Sequence, residues 1–239
     1  LMWSARMGQT DGVVQLLADG VSVAARDTHG RTALHWAVRE GHAATAGALL
    51  DAGANMAAED KETWTPLFFA ARHGQASMVT LLLRRGARAD AIAASGNTAL
   101  HNAAIGGHVE CASVLLLAAP GCLSVRNREG RTPLELAAVW SWHGVAKVLL
   151  DAGADVNEAN EGGRTPLHSA VQGSEEMVRT LLDGGADVAK KDVGGRTALH
   201  CCGVLRGREG RANVTRMLLN AGADVTARDE QGLTAEDIA

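Results

Sequence analysis

The chain has 239 residues and a formal net charge of −4, with 46% hydrophobic residues that include only two Phe and no Tyr. Such a chain can bury a sizeable core, but one of Ala, Leu and Val, which suits closely spaced helices. The acidic balance excludes general nucleic-acid binding, no apolar run reaches a bilayer span (the best is 114–119), and the opening LMWSARMGQT lacks the order of a signal peptide.

In chain order, residues 1–26 read as a partial unit, and Asp27-Thr28-His29-Gly30 reads as a turn. Thr32 is then an N-cap, and a short helix with the apolar stripe Leu34, Ala37 and Val38 stops at Gly41. A second helix runs to Leu49-Leu50 and ends at Gly53. The pattern returns. The opening Thr stands at 32, 65, 98, 132, 165, 197 and 234, at intervals of 33, 33, 34, 33, 32 and 37. Pro66, Pro133 and Pro166 occupy the first helical position, where a missing N–H costs nothing. Leu-Leu endings recur at 82–83, 149–150, 181–182 and 218–219. Helices this short are unstable alone, so each unit must stack on its neighbours.

Turn, T-P-L-H, short helix, Gly-His, second helix and L-L-x-x-G-A-D-V: the run of motifs resembles the ankyrin repeat over the whole chain. The resemblance implies an all-α solenoid of antiparallel helix pairs with hairpin-like turns, and a protein-binding module without catalysis of its own. The expected units are a partial 1–26, complete repeats at 27–59, 60–92, 93–126, 127–159, 160–191 and 192–228, and a partial 229–239. Both ends break off inside a helix, so a longer parent chain is expected.

Four histidines share one phase: His35, His101, His168 and His200. A metal reading fails on distance, since zinc–nitrogen bonds are about 2.0–2.1 Å while packed helices stand about 8–10 Å apart. They read instead as framework, bonding local backbone and the next unit's turn. Phe68 fills the slot with bulk, Glu135 is expected to complete a capping box with Thr132, and Asp237 after Thr234 is a similar case. Cys111, Cys122, Cys201 and Cys202 show no CxxC pairing and read as buried thiols of a reducing compartment. Gly203 to Gly210 reads as a lengthened loop between two helices, not a phosphate loop, and His143 beside Ser141 and Trp142 is no triad. No catalytic, cofactor or metal site is expected.

Residues that vary between copies line the expected groove. Before the capping Thr stand Arg31, Trp64, Asn97, Arg131, Arg164, Arg196 and Leu233, with Arg128 nearby. At the far end of the first helices lie Arg39, Arg72, His73, Ile105, Val139, Trp140 and Gln172. Trp36 and Phe69 are further candidates, and Arg206, Arg208 and Arg211 would extend the lip. The partner-binding set is Arg31, Trp64, Arg72, His73, Ile105, Arg131, Trp140, Arg164 and Arg196. It suits a protein or peptide with acidic side chains and an apolar anchor; no membrane or small-molecule substrate is expected. Asn157 lies in a context that, by the resemblance, marks intracellular asparaginyl hydroxylation, although a turn-stabilising role is the favoured reading. The expected setting is intracellular, in cytoplasm or nucleus. The alternative function is a regulatory or substrate-selecting array attached to an enzyme, a ubiquitin-ligase adaptor or a channel.

Overall fold

The computed structural model describes residues 1–203 and 211–238, and the regular elements among these residues are helices joined by turns, with no strand. The chain divides into two compact units, Leu1–Cys122 and Leu123–Ala239. In the first, the short helices α1 (Met2–Arg6), α3 (Ala33–Glu40), α5 (Pro66–Arg72) and α7 (Ala99–Gly106) pack in a row. Each also packs on the helix that follows it: α2 (Thr10–Ala18), α4 (Ala43–Asp51), α6 (Ala76–Arg84) and α8 (Val109–Ala118). In the second unit the first row is α9 (Pro133–Val139), α11 (Pro166–Ala170), α13 (Ala198–Gly203) and α15 (Ala235–Ile238). Its second row is α10 (His143–Asp151), α12 (Glu175–Asp183) and α14 (Arg211–Asn220).

Local chemistry starts each first-row helix. Thr32 is extended (φ −94°, ψ 172°) and caps α3, its hydroxyl facing the third helical residue while the His35 ring reaches back to the Thr32 N–H. The same reciprocal pair opens α7 (Thr98, His101) and α11 (Thr165, His168). Helix α3 ends because Gly41 turns left-handed at φ 81°, a conformation that costs a side-chain-bearing residue about 1–2 kcal/mol. The corresponding position after α9 is Ser141, which nevertheless adopts φ 59°.

The rows bury small residues against leucines. Ala33, Leu34, Ala37, Val38, Ala46 and Leu49 are all fully buried, as are Ala137, Val145, Ala146 and Leu149 in the second unit. Each buried Leu or Val contributes about 1.5–3 kcal/mol, and the alanines let the helices approach. Phe68 fills its slot at 1% exposure, as expected from its place in the histidine phase.

The turns are built on one acceptor. The Asp27 carboxylate takes the N–H groups of His29 and Arg31 at 2.8 and 2.9 Å. Asp60, Asn127, Asn160, Asp192 and Asp229 repeat the arrangement. Ala93 has no such oxygen. There the Ser95 hydroxyl accepts from the Asn97 N–H and the Thr63 hydroxyl accepts from the Ala94 N–H. Adjacent turns are then stitched through main chain, with Lys61 N–H on the His29 carbonyl at 2.9 Å and Val193 N–H on that of Gly162 at 3.0 Å.

Candidate binding surface

The histidines are the first candidates to place. His35 is fully buried, and its Nδ1 lies 3.0 Å from the Thr32 N–H, a group that can only donate. Nδ1 is therefore the acceptor and Nε2 carries the proton, donating to the Trp64 carbonyl at 3.1 Å. His168 does the same to the Arg196 carbonyl at 3.0 Å, and His200 to that of Leu233 at 3.2 Å. Burial pushes both His35 and His168 below the ordinary imidazole range, so the neutral ring is the resident form. Among the described residues no cluster of His, Cys, Asp and Glu could hold a metal, and no helix is long and apolar enough to cross a membrane. None of the four cysteines is in a disulfide, and all four are buried.

Glu135 departs from expectation. Thr132 Oγ1 accepts from the Glu135 N–H at 3.3 Å, which is half of the expected box. The carboxylate is held elsewhere, because the Asn160 amide donates to it at 2.6 Å from the next turn. Burial, at 2% exposure, pushes this carboxyl up to about 7, against the lowering from Asn160 and Arg131. Thr234 and Asp237 do complete a box, with Oδ2 taking the Thr234 N–H at 2.8 Å and Thr234 Oγ1 taking the Asp237 N–H at 3.3 Å.

The arginines before the capping Thr are tied into the turns. Arg31 Nε lies 3.5 Å from Asp60, Arg164 Nε 3.6 Å from Asp192 and Arg196 Nε 3.6 Å from Asp229. Each clamps its own turn to the following one through a carboxylate that already takes two backbone N–H groups. Arg131 meets Glu129 at 3.0 Å and Glu135 at 3.8 Å. This ladder is part of the framework.

In the first unit Trp64, His73 and Trp36 lie in aromatic and cation–π contacts. Trp64 is half-buried, stacked on Phe68 and edge-on to Phe69 at 5.2 Å. His73 is exposed, lies parallel to the Phe69 ring, and is lowered by desolvation and by the charges of Arg39 and Arg72. Ile105 and Arg72 are half-buried. Trp36 donates its indole N–H to Asp27 at 3.1 Å and is ringed by three guanidiniums, those of Arg6, Arg31 and Arg39, at 5.0, 5.3 and 5.3 Å from its centroid. Arg6 was not among the expected residues. Its signal is phase: Arg6, Arg39 and Arg72 stand 33 residues apart, each two positions before a Gly.

In the second unit Val139, Trp140 and Trp142 are 39%, 54% and 42% exposed. Gln172 is exposed beyond them in sequence. Arg206 and Arg208 lie outside the described residues. Asn157 bridges turns, donating to the Gly185 carbonyl at 3.3 Å and accepting from the Asp187 N–H at 2.8 Å.

Comparison with known proteins agrees with this geometry. A family model described as ankyrin repeats (3 copies) matches residues 1–93, 67–160 and 144–229. The human ASB11 ankyrin repeat domain superposes with a TM-score of 0.79 at 29% identity, over 93% of this chain and 97% of that one. The ankyrin repeat domain of Bcl-3 gives 0.74 at 31%, over 88% and 94%. In sequence, mouse Rabankyrin-5 is 41% identical over 51 residues, 21% of this chain and 4% of that protein. Human ankyrin repeat and SOCS box protein 16 is 41% identical over 85 residues, 35% of this chain and 18% of that protein. The chain thus spans under a fifth of the length of these two curated relatives. With family-model matches running from residue 1 to 229, the chain belongs to the ankyrin-repeat family.

Proposed function

We propose that the chain is a non-catalytic module that holds a partner protein or peptide along the ends of its first-row helices. Ankyrin repeats are in general protein–protein interaction modules. The observation that carries the reading for this chain is the run Val139-Trp140-Ser141-Trp142, where the sister copies have Arg39-Glu40-Gly41-His42 and Arg72-His73-Gly74-Gln75. The Trp140 indole is 54% exposed there, next to a backbone held at a positive φ by Ser141, a residue that is not Gly. Exposed Trp costs solubility, and Trp with Arg dominates binding hot spots. The boundaries given above serve as the proposed repeats, with Arg131, Arg164 and Arg196 as a rim at the other ends of the first-row helices. Asn157 is a turn clamp in this reading; a single added oxygen on its tryptic peptide, seen by mass spectrometry, would make it a modification site instead.

The test is affinity capture with the chain and with a Trp140→Ala, Trp142→Ala variant of unchanged circular dichroism. A partner of the first should bind the second about thirtyfold more weakly, the loss of a central anchor. Equal binding by both would remove the patch from the reading. A second reading, an array serving an attached enzyme, ubiquitin-ligase adaptor or channel, is favoured by the small share of its curated relatives that the chain covers. It predicts an activity in a longer chain that this one lacks.

A further inference from the structure

We propose that Arg6 and Arg39, with Trp36 beneath them, form a seat for one carboxylate of an acidic, extended peptide segment of a partner protein, and that Glu40 occupies this seat in the free chain. The proposal rests on the reading of the chain as an interaction module, but on a different face element from the Trp140 patch.

Arg6 Nε and Arg39 Nε both lie 3.8 Å from the same oxygen, Oε1 of Glu40. That is nearly 1 Å beyond a charge-assisted hydrogen bond of about 2.7–2.9 Å. One loosely held carboxylate, itself 36% exposed, therefore serves two guanidiniums that are 56% and 33% exposed. Among the described residues the terminal nitrogens of both forks donate no hydrogen bond, and Arg72, one repeat on, makes no ion pair or side-chain hydrogen bond. The other nearby acids are already committed. Asp27 takes two backbone N–H groups and the Trp36 indole, and Asp60 takes two backbone N–H groups and Arg31. A cation at the end of a helix complements its dipole, which accounts for charge at Arg6, Arg39 and Arg72 but not for three guanidiniums around one indole. With their Cζ atoms 5.0 and 5.3 Å from the Trp36 ring centroid, the two guanidiniums are held beside the indole and can present their forks to a planar, two-oxygen acceptor. The unfilled chemistry is that of a carboxylate, and the indole beside it offers apolar cover for the peptide's neighbouring side chain.

The experiment is fluorescence anisotropy of the 239-residue chain with a labelled, end-capped peptide of alternating leucine and paired glutamates, against the same peptide with glutamine. The glutamate peptide should bind and weaken with added salt, and the glutamine peptide should not bind. Arg39→Gln should weaken binding about tenfold, the loss of one charge-assisted contact. Glu40→Gln should tighten it about threefold by vacating the seat, the opposite sign from a structural lesion. Arginine Nε–H and Trp36 indole resonances followed by NMR during the titration should shift at Arg6, Arg39 and Trp36. Binding that Arg39→Gln leaves unchanged, a Glu40→Gln variant that binds no better, or shifts confined to Arg131, Arg164 and Arg196 would each overturn the seat. So would preference for a phosphoserine peptide with no binding of the glutamate one. A captured partner that needs Trp140 but ignores Arg39→Gln would refute the seat and leave the module reading standing. A seat that binds the peptide while no partner depends on Trp140 would do the reverse.

Discussion

The Nε2 of His35 lies 3.1 Å from the carbonyl oxygen of Trp64, 29 residues further along the chain. The other ring nitrogen caps the helix that His35 itself begins. One side chain thus ties the start of a helix to the turn of the next unit, which is why a buried imidazole recurs at this phase. Helix capping and stacking are coupled through a single ring.

That coupling predicts a graded series at His168. His168→Ala removes both bonds and leaves the Arg196 carbonyl and the Thr165 N–H without their partner, costing about 2–4 kcal/mol. His168→Gln keeps a side chain that can close a capping box and should cost less than half as much. Urea melts of the two variants decide it, and equal losses would mean that the cap contributes nothing.

Two pH dependences of opposite sign follow from burial. The Glu135 carboxyl is raised from 4.5 to about 7 in the folded chain, so the native state holds its proton more tightly than the unfolded one. Its contribution is full below pH 4.5 and is lost as pH rises through about 7. Glu135→Gln should therefore stabilise the chain at pH 8 by on the order of 2 kcal/mol and change little at pH 4. The lowered His35 and His168 act the other way, taking stability away as pH falls below their ordinary value of 6.5. Denaturant midpoints of Glu135→Gln and wild type at several pH values separate the two.

Ser141 is held at φ 59°, where Gly41, Gly74 and Gly107 stand in sister copies at 81°, 72° and 78°. Ser141→Gly should raise the melting free energy by about 1 kcal/mol. Thr63, at φ 60°, should not respond the same way, because its hydroxyl accepts from the Ala94 N–H and Thr63→Gly gives up that bond. Calorimetry on both variants provides the comparison.

One motif, Gly-Ala-Asp-Val, ends three second-row helices of the second unit with different burial. Val156 and Val188 are 7% and 8% exposed, whereas Val225 is 56% exposed on the wall of a groove of about 490 Å³ that Leu199, Cys202 and Leu219 also line. Val156→Asp should cost about 3 kcal/mol, and Val225→Asp less than about 0.5 kcal/mol. Chemical denaturation reads the difference directly.

What the sequence by itself determined is what neighbours within a few residues decide. Thr32, Pro66 and Gly41 act over one to four positions, so the helix starts and stops of the repeated unit could be read without a fold, whereas the two helices within residues 1–26 are not separated in sequence. The 33-residue spacing then made stacking necessary, since no helix here is long enough to stand alone. Only the tertiary structure decided which equivalent residues do equivalent work. Arg31, Arg164 and Arg196 look like a free rim in sequence, yet each finds an Asp of the following turn. Glu135 looks like a cap and instead serves Asn160. Trp36 lies on a first-row helix and Trp140 just past the end of one, but the first is enclosed by arginines and the second is 54% exposed. The physical reason is distance along the chain. Apart from Arg31 and Arg39, which share Trp36's own repeat, these partners come from the adjoining repeat, 25 to 36 residues away as in Glu135–Asn160 and His42–Arg6, and side-chain geometry across that gap exists only once the helices have stacked.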